Sequence, residues 1–66
     1  MYKNLICEMK MKKISNIEIA KILGIHRNTV KRKIYEENTC FKMDEAQKIQ
    51  KEFFPNLTTD YLFKAS

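Results

Sequence analysis

Arg27, Asn28, Thr29, Lys31 and Arg32 fall within six consecutive residues, RNTVKR, interrupted only by Val30. Side chains of these types form planar or multi-donor hydrogen bonds to flat, electron-rich edges. An asparagine amide matches adenine N6 and N7, and an arginine fork matches guanine O6 and N7. Arg27, Asn28, Lys31 and Arg32 are thus candidates for base contacts. Lysine is a compact point charge suited to phosphate oxygens, so Lys31 serves either role, while Lys21, Lys33 and the Lys12–Lys13 pair fit a phosphate backbone. Tyr35 belongs with them. Asn16 opens a helix, where its side chain and free amides can clamp one phosphate. His26 stands at the head of the basic run, where it either touches a base or phosphate or covers the edge of the core. For Asn28 and Thr29 the alternative is helix-start hydrogen bonding without a ligand.

Other chemistries find little support. His26 is the lone histidine, and no nucleophile or oriented carboxylate stands with it, which argues against an enzyme. Asp44 and Glu45 are adjacent, but at the start of a helix they favour its positive dipole end rather than paired acid–base work. Cys7 and Cys40 are far apart and form no C-x-x-C, so two free thiols in a reducing cytoplasm is the expectation. No metal site and no cofactor is expected. Asn56-Leu57-Thr58 matches a glycosylation sequon, which a cytosolic chain would never use.

A chain of 66 residues makes one small domain with a marginal core. It is 44 % hydrophobic with one glycine and one proline, too apolar for disorder and too poor in breakers for a many-turned β fold. The net charge of +5 is unevenly spread. Residues 1–35 carry nine basic side chains against two acidic, and the remainder four against six. A positive first half on a weakly acidic second half suggests one face aimed at a polyanion. Charged residues interrupt the N-terminal apolar stretch, and no run approaches the ~18 residues of a membrane span, so neither a signal peptide nor a membrane is expected.

The spacing predicts five helices and no sheet. The first runs from about Tyr2 to Lys12 with Tyr2, Leu5, Ile6 and Met9 inward and Cys7 and Met11 half-buried at its flanks. Ser15 and Glu18 make a capping box, and the helix it opens buries Ile17 or Ile19, Ala20 and Leu23. Gly24 stops it in a left-handed turn. A third helix, about Arg27 to Glu36, buries Val30 and Ile34 and turns Asn28, Lys31, Arg32 and Tyr35 outward. A polar loop (Glu37, Asn38, Thr39, Cys40) leads to a fourth helix with Met43, Ala46, Ile49 and Phe53 inward and Gln47, Lys48, Gln50 and Lys51 outside. Pro55 ends it, and Thr58 or Thr59 caps a last turn. Helices two and three across a glycine turn, the second basic, read as a helix-turn-helix at about residues 15–36, followed by closing helices at about 43–64.

Ser15 to Tyr35, SNIEIAKILGIHRNTVKRKIY, resembles the helix-turn-helix of the phage repressor and Cro family, the lambda-repressor-like DNA-binding domains. Ala20, Gly24 and Val30 fill the small, turn and aliphatic positions of that motif, with Ile19, Leu23 and Ile25 beside them. The tail FKMDEAQKIQKEFFPNLTTDYLF is similar to the closing helices of small phage-type repressors. The sequence departs from the pattern at three places. His26 or Arg27 replaces the Ser or Thr cap of the recognition helix and should cap poorly. Lys33 holds an apolar position, which suggests a rotated helix end. Lys42 replaces a capping hydroxyl.

The resemblance implies an all-α bundle and a sequence-specific, double-stranded DNA-binding transcriptional regulator, most simply a repressor. An antitoxin or recombination accessory factor is the alternative on the same motif, and a protein-binding adaptor the alternative of another class. One recognition helix reads few base pairs, so binding to a pseudo-palindromic operator as a homodimer is expected, with half-sites ~34 Å apart. Leu57 and Leu62 are expected on the core, and Tyr61, Phe63 and Phe54 in a self-complementary patch. Such a patch would fall below the ~1,200 Å² of stable interfaces, hence a dimer formed mainly on DNA.

Overall fold

The structure is a computed structural model that describes residues 1–36 and 39–64. The loop residues Glu37 and Asn38 lie outside the described residues, as do Ala65 and Ser66. Five helices and no strand are present among those described: α1 (Lys3–Lys12), α2 (Asn16–Leu23), α3 (Arg27–Tyr35), α4 (Met43–Phe53) and α5 (Thr59–Leu62). The chain is a small all-α bundle in which α2 packs on α3 and α4, and α5 packs on α1 and α4. None of the helices is long and apolar enough to cross a membrane.

Three helix ends, at Ser15, Gly24 and Thr58, follow directly from local sequence. The Ser15 hydroxyl accepts the Glu18 amide at 3.3 Å, satisfying one of the orphan donors of the first turn. Glu18 returns no bond and is exposed, so only half of the expected box forms. Gly24 closes α2 at φ 70° and ψ 30°, where the amides of Gly24 and Ile25 both reach the Ala20 carbonyl. Lys13 closes α1 in the same left-handed conformation, φ 58°, with the Ile14 amide on the Met9 carbonyl. That second left-handed turn had no glycine to announce it. Thr58, of the two candidate threonines, caps α5 by accepting the Tyr61 amide at 3.1 Å.

Gly24→Val should lower the melting temperature by about 5–15 °C, the effect of roughly 1–2 kcal/mol in a domain of this size. A Cβ at Gly24 would meet nothing within 4 Å. No Cβ clash adds to the cost of the backbone conformation, and Gly24→Asn, which tolerates the left-handed region, should cost less. Thermal unfolding followed by circular dichroism checks both. A valine variant that melts with the wild type would contradict the assigned turn.

The core is continuous through all five helices. Leu5, Ile19, Val30, Ile34, Ile49, Phe54 and Leu62 are all sealed from solvent. The expectations for α1 and α4 need correction at their edges. Cys7 and Met11 are exposed, not half-buried, because they lie two residues past Leu5 and Met9 and so about 200° round the helix. Met43 is 71 % exposed. It occupies the first position of α4, and the buried aromatic of this segment is Phe41, two residues earlier. Ile17 is exposed while Ile19 is buried, which settles the choice between them. Gln50, expected outside, turns in and donates to the carbonyls of Phe54 and Leu57, at 3.2 and 2.8 Å, tying down the chain after α4.

The expected dimer patch is not formed as drawn. Phe54 is fully buried. The helix ends one residue before it, and its backbone at φ −134°, ψ 57° turns the ring inward. Phe63 packs edge-on against Tyr2 and Phe41, at 5.4 and 5.5 Å between ring centroids, in a three-ring cluster. Tyr61 is the exposed member, and its hydroxyl donates to the Glu8 carboxylate at 2.8 Å. That bond holds the Tyr61 phenol above its usual pKa. Leu62 is core as expected, and Leu57 packs against it.

Candidate nucleic-acid interface

Val30 and Ile34, one turn apart, fix which way α3 faces. Both are sealed in the core, so Asn28, Arg32 and Tyr35 are exposed on the outer arc, with Lys31 at its edge and Arg27 exposed at the first position of the helix. The start of α2 lies alongside. Ser15, Asn16 and Ile17 line one open depression together with Arg27, Asn28 and Lys31. A second depression runs from Ile17 and Lys21 past Gly24 to His26 and Arg27. A third, between the end of α1 and Tyr35, gathers Lys10, Lys13 and Asn16. The packing of α2 on α3 thus assembles most of the candidate residues into one surface. Among the described residues Arg27, Asn28, Lys31, Lys21 and Lys13 form no side-chain hydrogen bond or ion pair, leaving their polar groups to solvent or a ligand.

His26 behaves better than its type suggested. Its Nδ1 accepts the Asn28 amide at 3.1 Å, and its carbonyl receives the amides of Thr29 and Val30. Expected to cap poorly, His26 is the N-cap of α3. The ring nitrogen takes the place of the usual hydroxyl. Accepting that bond requires an unprotonated Nδ1. Thr29 is exposed on the same first turn, with its amide satisfied by His26.

Two lysines expected on phosphate are committed elsewhere. Lys33 lies three residues after Val30 and so shares the buried side of α3. Its stem occupies the apolar position, and its ammonium reaches Glu45 Oε1 at 3.3 Å and the Cys40 carbonyl at 3.2 Å, beside the Phe41 ring. The end of α3 needs no rotation to bury Ile34. Lys12 donates to the Phe53 carbonyl at 2.7 Å and sits 5.2 Å from the Phe54 ring centroid. It caps the last turn of α4 rather than facing the outer arc of α3.

Arg32 remains on the arc but is not free. Its Nε pairs with Glu36 at 3.2 Å across one helical turn, in a contact that is largely solvent-exposed. Such pairs contribute about 0.3–0.5 kcal/mol and exchange readily for a stronger anion. Glu45 does more than meet the helix dipole. Its carboxylate accepts the Lys42 amide at 2.9 Å as well as the Lys33 ammonium, supplying the cap that Lys42 cannot.

Lys10 is a site candidate that sequence reasoning passed over. Its closeness in sequence to the Lys12–Lys13 pair was the available signal. Among the described residues no group of three or more His, Cys, Asp or Glu could hold a metal ion, and Cys7 and Cys40 are both exposed free thiols. No family model, no curated protein and no solved structure matches the chain.

Proposed function

We propose that the chain is a sequence-specific, double-stranded DNA-binding module that lays α3 in the major groove and sets the start of α2 on the flanking backbone. The observation that carries this reading is the outer arc of α3. Arg27, Asn28 and Lys31, without internal partners, stand beside Asn16 in a depression whose lining holds no acidic side chain. Asn28 and Arg27 supply base-edge hydrogen bonds, while Lys31, Lys21, Lys13 and Asn16 supply phosphate contacts. Arg32 joins the base contacts by exchanging Glu36 for a guanine. The similarity of Ser15–Tyr35 to phage repressors makes transcriptional regulation of phage or mobile-element type, in the cytoplasm, the role we assign.

Two copies on a pseudo-palindrome would lie with half-sites ~34 Å apart. The bundle extends 26 Å along its longest axis. A body narrower than that spacing leaves little room for a broad contact, which fits a pair held together mainly by the DNA.

Selection of duplexes from a random pool tests the proposal, with an enriched motif as the expected result. Asn28→Ala and Arg27→Ala should each lose about 1–3 kcal/mol on that motif and relax base preference at one position. Lys31→Ala should weaken all duplexes alike. If Asn28→Ala enriched the same motif with undiminished affinity, α3 would not be the reading helix.

A further inference from the structure

We propose that Ile17 reads a thymine methyl group at the rim of the major groove. The inference rests on the duplex reading above and adds a specificity-determining residue to it, one that charge and hydrogen bonding do not single out.

Ile17 is the second residue of α2 and is 45 % exposed, although Ile19 and Ala20 of the same helix are in the core. A single exposed isoleucine is ordinary. Its surroundings are not. Ile17 and Arg27 are the two residues shared by both depressions that flank the start of α3. Asn28 and Lys31 lie on one side of that ridge, Lys21 and His26 on the other. An aliphatic side chain thus sits in the middle of a cationic, hydrogen-bonding surface.

The cations on either side select a polyanion as the occupant, and most of a polyanion's surface has nothing for an isoleucine. Phosphates and the polar base edges leave an apolar group without a partner and lose water in meeting it. In the major groove one group is different. The C5 methyl of thymine is the apolar feature displayed there, and apolar side chains contact it. Removing one methyl-sized group from water favours binding by about fourfold. With Arg27 and Asn28 engaged on purine edges, Ile17 meets a thymine at the neighbouring step, toward the backbone that Asn16 touches.

Uracil differs from thymine in duplex DNA by this methyl alone, so the test leaves the protein's fold untouched. Duplexes are first selected from a random pool with the wild-type chain, and each thymine of the selected site is then replaced singly by uracil. The expected result is an affinity loss of about fourfold at one thymine per half-site. For Ile17→Ala, bound to the same set, that loss should vanish while the losses on changing the purines contacted by Asn28 and Arg27 persist. Uracil substitutions without effect on wild type, a loss equal in Ile17→Ala, or selected half-sites lacking thymine would each overturn the proposal and leave the duplex reading standing. A pool that enriches no sequence would overturn both.

Discussion

Phe54→Ala should remove a large share of the chain's stability. Phe54 is the largest of the fully buried side chains, and it has no solvent exposure. Deleting such a ring costs about 3–5 kcal/mol in lost transfer energy and cavity. A domain of this length has roughly 3–10 kcal/mol in total. The ring also closes the contact under Lys12, whose ammonium lies over it. Phe53→Ala, one residue earlier but only partly buried, should cost markedly less. Urea titration followed by circular dichroism separates the two. If Phe54→Ala kept the wild-type midpoint and slope, the ring would have to be on the surface.

Raising salt from about 50 to about 200 mM should weaken duplex binding by each copy on the order of 10²-fold. The free cations assigned to phosphate are Lys13, Lys21 and Lys31, with Lys10 beside them. If three to four phosphates are neutralised, the slope of log affinity against log salt is roughly −3 to −4. Lys21→Ala and Lys31→Ala should each reduce that slope by about one. Lys33→Met should not, because its ammonium is already occupied by Glu45. Fluorescence anisotropy at several salt concentrations reads all four proteins. A nearly flat salt response would favour an apolar adaptor contact over a phosphate backbone.

The sequence was most legible where one residue type has one physical use. Gly24 marked its turn because a left-handed residue disfavours a Cβ, and Ser15 marked a helix start because its oxygen replaces a missing carbonyl. Val30 and Ile34, four apart, oriented α3 and with it the candidate interface. Legibility failed where a side chain has two uses. Lysines were read as charges, yet Lys12 and Lys33 are long enough to lay their stems on the core and place their heads on a carbonyl or a carboxylate. A histidine at this position suggests a base or phosphate contact, cover for the core edge or a poor cap, whereas the ring nitrogen of His26 caps α3. Phe54 lies just past the end of α4, where helical periodicity no longer says which way a side chain points. Choosing between adjacent phenylalanines required the backbone turn itself.

The three-ring cluster of Tyr2, Phe41 and Phe63 bears on how the molecule assembles as it is made. Tyr2 also receives the Phe41 amide on its hydroxyl and gives its own amide to Ile34. Although α1 precedes the other four helices in the chain, it is therefore among the last to be enclosed. While α2 and α3 can meet over a short loop, the inner face of α1 must wait for a ring some sixty residues downstream. Until Phe63 emerges, Leu5 and Met9 lack part of their cover, and the bundle closes by joining its two ends rather than by growing from one of them.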